Sequence, residues 1–519
     1  MKLAPPSALF PRLNKPHDAI LASVRFLTFL AVMVCVSCMH SRTDTPAIGA
    51  SDAVEMLLTT EPDTVDPRYA SDAISSRASR LIHAGLFKLD PKTFEPAPDV
   101  AQSWVQESPT RVRVLLRSDA TFHSGAPLTC EDVRATLSAV ASPETRSRAG
   151  QAFRNILVTS CVSPHEVLLE LRAPQASLLA DLCFPVLRAD QAAAAASDTQ
   201  DGLGPYRVRS RELGLWTLEP AFPGQPGAPT RVVRLRAVGD ENARALRLLS
   251  GRADIASGVL SPMLADALGR RGMRVRETDG VNLTYLVART DAGPSAARGL
   301  RSYLRTHTPR AEIIAGMLAG HARIAEQILP PRVLALAAEP QPGQPGQLGQ
   351  PVAPTEAAHI AGAHAELLVG TDRMRVAIAR AMADEWAKGG VTVDVVPLDL
   401  GVLLGRLSRG EFMFAMLQLP DLTEPGLLRT LLHSKSLPPY GMNRSRYANA
   451  RVDAWLDAAE SELNLVQRRA LYARVEEANA HDLALMPLWR EQHVAVVSER
   501  ALSYAPGADG HWGALCDLR

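Results

Sequence analysis

The sequence is poor in aromatic residues, has almost no net charge and carries few cysteines. Aromatics make up 5% of its 519 residues, and 56 basic side chains face 55 acidic ones, for a formal charge of +1. That balance removes the bulk electrostatic attraction on which nucleic-acid binding rests, so no nucleic-acid partner is expected. An acidic or disordered chain is excluded too, because hydrophobic residues reach 46% and charged residues only 21%. No internal stretch approaches the ~20 apolar residues of a membrane-spanning helix. What is present is length, enough for roughly two to four domains at ~150 residues each. Proline (38) and glycine (34) are plentiful, which calls for many turns and connections.

The N-terminus differs from the rest. Residues 1–25 hold Lys2, Arg12, Lys15 and Arg25 against Asp18, and the apolar run Phe26–Val36 leads into Ser37-Cys38. A positive region, a short apolar run and a small residue describe an export signal. A cysteine directly after the small residue resembles a bacterial lipoprotein signal, which implies that Cys38 is lipid-modified and holds the protein to a membrane. Cys35 stands where Leu is usual, and plain secretion is the alternative. Residues 1–38 are then the leader and 39–51 a polar tether. Export sets an oxidising context for Cys130, Cys161, Cys183 and Cys516. A bridge among the first three is expected, and the pairing stays open. No C-x-x-C or close Cys/His spacing supports zinc, and no metal site is expected. His359 and His364 are five apart, a spacing that does not stack two rings on one helical face.

The body reads as α/β. Arg111–Arg117 alternates Val112, Val114 and Leu116 with arginines, as a half-buried strand does. Thr129 is a natural helix N-cap with Asp132 in the capping-box position, followed by Val133, Leu137 and Val140 on one face. Near residue 370, Leu367–Val369 predicts a strand. The stretch 372–388 predicts a helix with Met374, Ile378, Met382 and Trp386 on one stripe, ended by Gly389-Gly390, and Val391, Val393 and Val395 alternate in a second strand. Strand, helix and strand with short connections form a parallel crossover. Residues 339–354 (EPQPGQPGQLGQPVAP) have no apolar face to bury, and predict an exposed loop.

Several stretches in collinear order resemble one family, the extracytoplasmic solute-binding proteins of peptide and nickel ABC importers (family 5). They are Glu61–Asp72, His83–Phe87, Leu89–Thr93, Pro96–Trp104, Leu116–Thr129 with Glu131-Asp132-Val133, Gly202–Tyr206, Gly251–Ile255, then Asn443, Tyr447, Asn449, Arg451-Val452-Asp453 and Met486-Pro487-Leu488. Their prolines and Asp-Pro pairs stiffen turns at strand ends, so they speak to scaffold more than to ligand. The resemblance implies a two-lobed periplasmic binding protein fold, type II, of the large class with an extra subdomain, and a ligand cleft between the lobes. It divides the chain into 52–275 as the first lobe with a subdomain inserted at about 90–195, 276–488 as the second lobe, and 489–519 as a return to the first.

In peptide-binding relatives a second-lobe segment carries aromatics and an Asp that pairs with the peptide's α-ammonium group. The comparable stretch here is Phe412–Leu428, where Asp421 and Glu424-Pro425 match while Leu419 and Leu422 stand in for the aromatics. Arg289 takes the place of an Asn usual after Tyr285. The resemblance makes Asp421, Glu424 and Arg289 the ligand-binding candidates, with a loop-capping Asp as the alternative for Asp421. It implies a monomeric carrier outside the inner membrane, without cofactor or chemistry, that delivers a peptide or peptide-like solute to a permease. Nickel chelates, haem, opines and sugars are alternative ligands, and a sensor that has lost transport is an alternative role. An enzyme is the competing class, but the chain has no G-x-S-x-G elbow, no H-E-x-x-H and no phosphate-cradling glycine loop.

Overall fold

The computed structural model describes residues 53–147, 149–196, 201–334 and 362–518. Cys38, the leader and tether, the 339–354 loop and His359 lie outside the described residues. The α/β expectation holds. Three larger sheets organise the described chain, and the two largest are each covered on both faces.

The first sheet has seven strands. In order they are Arg274–Thr278, His493–Val497, Ile255–Ser257, Val54–Leu58, Val233–Ala237, Leu215–Pro220 and Tyr206–Glu212. Val54–Leu58 is buried at every residue and runs parallel to both neighbours, as a strand with helices on both sides must. Val54, Met56 and Leu58 feed one core and Leu57 the other. Asp254 ties this strand to the returning chain. Its carboxylate accepts from the Glu55 N–H at 2.9 Å and from the Ser498 hydroxyl at 2.7 Å.

The second sheet has six strands, Ala322–Ile324, Leu485–Glu491, Leu283–Ala288, Phe414–Leu419, His364–Gly370 and Thr392–Leu398. The predicted crossover lies here. His364–Gly370 and Thr392–Leu398 are parallel, joined by the Arg373–Lys388 helix, which Asp372 caps by accepting from the Arg375 N–H at 2.9 Å. Ile378, Met382 and Trp386 are its buried stripe.

The third sheet, with four antiparallel strands (Ala101–Ser108, Arg111–Leu116, Glu166–Leu171, Ile156–Ser163), packs against the Cys130–Ala141 helix. Thr129 and Asp132 form the predicted capping box. The bridge is Cys130–Cys161, fastening the start of that helix to the Ile156–Ser163 strand, and Cys183 and Cys516 are free.

Two crossings join the first and second sheets. Residues 279–282 lead from Arg274–Thr278 into Leu283–Ala288, and Gln492 leads from Leu485–Glu491 back into His493–Val497. The crossings grip each other. The Glu491 N–H donates to the Asn282 carbonyl at 3.2 Å, and Gln492 Nε2 donates to Asp279 Oδ1 at 3.0 Å. Gly280 permits the approach, since a Cβ there would stand 2.3 Å from the Glu491 carbonyl oxygen. No helix among the described residues is long and apolar enough to cross a membrane.

Candidate functional site

After the Phe414–Leu419 strand the chain turns at Asp421, whose φ of 53° is left-handed. Asp tolerates that region better than most side chains. The Asp421 N–H donates to Asn282 Oδ1 at 3.0 Å, which fixes the turn to the first crossing. Leu419 and Leu422 on either side are buried in the second-sheet core. The residues that replace the family aromatics therefore anchor the loop and leave the carboxylate to face outward.

Asp421 and Glu424 line one cavity of about 360 Å³, together with Asp181 from the short Leu178–Asp181 helix. Burial pushes all three carboxyls above their ordinary values. Asp181 accepts hydrogen bonds from the Ser177 hydroxyl and from Gln175 Nε2, both at 2.7 Å, and Glu424 accepts from the Gly426 N–H at 3.2 Å. Among the described residues none of the three has an ion-pair partner. Arg429 lines the cavity as well, but Asp457 and Glu460, the latter at 3.1 Å, hold its guanidinium. The result is an acidic recess that a cationic group of a ligand would neutralise.

Arg77 and Arg80 of the Ala73–Ile82 helix, together with Asp509, act through space on the Asp421 carboxyl, and the same charges act on His493 and His511. Arg77 and Arg80 pull the Asp421 carboxyl down while Asp509 pushes it up, so these groups share one electrostatic neighbourhood. Desolvation, with help from Arg77, brings His493 down to about 4; desolvation with Arg80 and Arg77 does the same to His511. The rim is bridged where the Ala176 N–H donates to the Glu460 carbonyl at 2.9 Å and where Arg469 pairs with Glu95 at 2.8 Å. Another cavity, of about 390 Å³, lies beside the crossings and is lined by Asn282, Gln418, Glu491 and His493.

Arg289 does not join Asp421 and Glu424 at the cavity. Leu283 pairs with Leu419 and Ala288 with Phe414, so Arg289 and Asp421 stand at opposite ends of an antiparallel pair, roughly 20 Å apart at ~3.4 Å per residue. Arg289 donates to Asp291 at 2.8 Å and to the Gly410 carbonyl, bracing the far edge of the sheet. Sequence reasoning missed Asp181, Arg77, Arg80 and Asn282. Of these only the Ser75–Arg80 stretch (SSRASR), with arginines three apart on one helix face, carries a local signal. Among the described residues no group of three or more His, Cys, Asp or Glu side chains is placed to hold a metal ion.

Residues 95–431 match the model of the bacterial extracellular solute-binding proteins, family 5 (middle). The chain belongs to this family. The glutathione-binding protein GsiB of Salmonella typhimurium is 23% identical over 478 residues, which cover 88% of this chain and 93% of that protein. Among solved structures, NikA from Brucella suis in complex with Fe(III)-EDTA superposes with a TM-score of 0.77 at 17% identity, covering 89% of this chain and 99% of that one. DppA from Helicobacter pylori in complex with the peptide STSA gives 0.71 at 18%, covering 90% and 97%. The fold is the two-lobed one of periplasmic binding proteins, and this family 5 protein is an extracytoplasmic solute-binding protein.

Proposed function

We propose that this family 5 protein captures a small peptide or peptide-like solute by closing its two lobes on it, acts as a monomer, and hands the solute to the permease of an ABC importer. The observation that carries the reading is the set of three carboxylates, Asp181, Asp421 and Glu424, that share a cavity and form no ion pair among the described residues. A ligand α-ammonium supplies the missing charge, and enclosure strengthens the bond it makes. The names of the relatives support a peptide-like solute, since GsiB is a glutathione-binding protein and DppA holds the peptide STSA. A metal chelate, as NikA holds, is the second reading.

Strand membership puts the crossings at 279–282 and at Gln492, within about four residues of the expected lobe bounds 275/276 and 488/489, and the Gly280 crossing is the natural hinge. Closure selects the bound state through contacts to both lobes, and no covalent step belongs to this function. Cys38 is the anchor in this reading, supported by the Phe26–Val36 run and Ser37 before it. Cys38→Ala should then release the protein from membranes into the soluble exported fraction.

The direct test is native mass spectrometry of protein purified from its own host, followed by calorimetry with dipeptides, tripeptides and glutathione. A retained peptide-like mass and a dissociation constant of about 1 μM or lower are expected. A retained chelate, with no peptide binding below about 1 mM, would replace the peptide reading with the chelate one.

A further inference from the structure

A second, larger cavity of about 740 Å³ shares no lining residue with the acidic recess. Its wall combines Arg80 and Ser79 from the Ala73–Ile82 helix with Arg146 and Ser147 from the turn after the Cys130–Ala141 helix. Arg68 lines it too, but that guanidinium is already satisfied by Asp66, at 2.7 and 3.0 Å, and by the carbonyls of Ala192 and Ala194. Arg80 and Arg146 have no ion-pair partner among the described residues, and Glu144 is the one carboxylate among the lining side chains. Two uncommitted guanidinium groups against one carboxylate leave the cavity positive.

Two further observations point to a ligand. Ser79 is among the residues lining the cavity, and its hydroxyl, in a residue only 2% exposed, has no hydrogen-bond partner. A buried hydroxyl left unsatisfied costs free energy, so native structures seldom leave one without a role. Arg146 is held at a φ of 53°, a left-handed conformation unfavourable for a long side chain, yet here it presents the guanidinium to the cavity wall. Guanidinium groups with hydroxyls beside them match the planar, bidentate geometry of a carboxylate. Arg80 also links the two cavities electrostatically. It lines the positive one, and its charge reaches Asp421 in the acidic recess.

We propose that this cavity is a carboxylate subsite, built by Arg80, Arg146, Ser79 and Ser147, and that the transported solute is an acidic peptide-like molecule with its ammonium group in the acidic recess and its side-chain carboxylate here. The proposal rests on the peptide-like reading and sharpens it: the solute carries an acidic side chain besides its terminal charges. Glu144 competes with the solute's carboxylate for the same arginines and sets an upper limit on affinity.

The test uses three probes on the ligand-stripped full chain: the dipeptides Ala–Glu and Ala–Ala, and glutarate, the isolated dicarboxylate. Calorimetry should give Ala–Glu an affinity at least about tenfold above Ala–Ala. Arg146→Gln should bring Ala–Glu down to the level of Ala–Ala, while Glu144→Gln should raise Ala–Glu affinity several-fold. Opposite signs from two exposed neighbours exclude a general loss of folding, and circular dichroism checks each variant. Ser79→Ala, which removes a buried unpartnered hydroxyl, should weaken Ala–Glu by about three- to tenfold. If Ala–Glu binds no better than Ala–Ala, or its advantage survives Arg146→Gln, the subsite is wrong. If neither dipeptide binds, the peptide reading fails by itself, and glutarate then decides the subsite. Glutarate binding weakened by Arg146→Gln and strengthened by Glu144→Gln upholds it, and binding absent or indifferent to both overturns it.

Discussion

Asn282 accepts a hydrogen bond from the Asp421 backbone N–H at 3.0 Å, across 139 residues of sequence. One partner sits in a crossing between the sheets and the other on the loop that presents the candidate ligand carboxylate. Movement at the crossing is therefore transmitted to the orientation of Asp421. Asn282→Ala removes one hydrogen bond to a backbone N–H, worth about 1 kcal/mol net, so the melting temperature should fall by only about 1–2 °C. Peptide affinity should fall further, by about five- to tenfold, because the left-handed turn at Asp421 loses its brace. Calorimetry beside a thermal melt separates the two, and an unchanged affinity would show that Asp421 does not depend on the crossing.

Asp421→Asn tests the carboxylate itself. Asn adopts the left-handed region as readily as Asp, so the turn survives and only the charge is lost. A charge-assisted hydrogen bond to an ammonium contributes ~1.5–3 kcal/mol, so Ala–Ala should bind roughly tenfold to over a hundredfold more weakly. N-acetyl-Ala–Ala, which has no ammonium, should bind both proteins alike. Equal losses for the two ligands would make Asp421 a loop-supporting residue.

These two residues also mark where sequence reading stops. The Arg111–Leu116 strand, the Thr129–Asp132 capping box and the 364–398 crossover were legible because each is written in a few neighbouring residues. Asp421 and Glu424 were reachable through a motif, and they do share a cavity. The distance of Arg289 from Asp421 could not be read locally, because the antiparallel register between residues 283–288 and 414–419 is set by tertiary pairing, which no local pattern records. Asp181 escaped for the same reason, as it reaches the recess through the packing of a four-residue helix. Gly389 was read as a helix terminator, yet it also permits close packing, since a Cβ there would lie 1.8 Å from the Tyr303 hydroxyl oxygen.

The cysteines give a chemical prediction. Cys130 and Cys161 are bridged across a separation of 31 residues, and loop closure of that size constrains the unfolded chain by about 3.7 kcal/mol. Cys130→Ala with Cys161→Ala should lower unfolding free energy by about 2–4 kcal/mol, read by urea denaturation. Burial pushes the Cys183 thiol up to about 12 and Cys516 up to about 11. Thiolates are scarce at such values, so in a chain beginning at Met39 neither thiol should alkylate quickly at pH 8 while folded. Mass spectrometry should find two labels after denaturation and four after denaturation with reduction. Four labels without reductant would show that the bridge is not formed.

Acid should loosen the packing around His493 and His511, whose charged neighbours Arg77, Arg80 and Asp509 also act on Asp421. His493 and His511 both drop to about 4 from an ordinary 6.5, chiefly by desolvation and further by the positive charge of Arg77 and Arg80, with Asp509 opposing. A histidine whose folded value is depressed stays neutral in the native state while the unfolded chain takes up a proton. Its contribution to stability is thus intact above pH 6.5 and is lost as pH falls from 6.5 towards 4. The raised carboxyls of Asp181, Asp421 and Glu424 act in the opposite sense, gaining stability as they protonate on the same descent. Between pH 7 and 5 the two histidines together should cost on the order of 3–4 kcal/mol. His493→Gln with His511→Gln keeps neutral polar groups at both positions and removes the titration. Urea midpoints measured from pH 7.5 to 4.5 should fall less steeply in this double variant than in the wild-type protein. Parallel curves would assign the acid sensitivity to carboxylates elsewhere in the fold and leave these two histidines as packing groups.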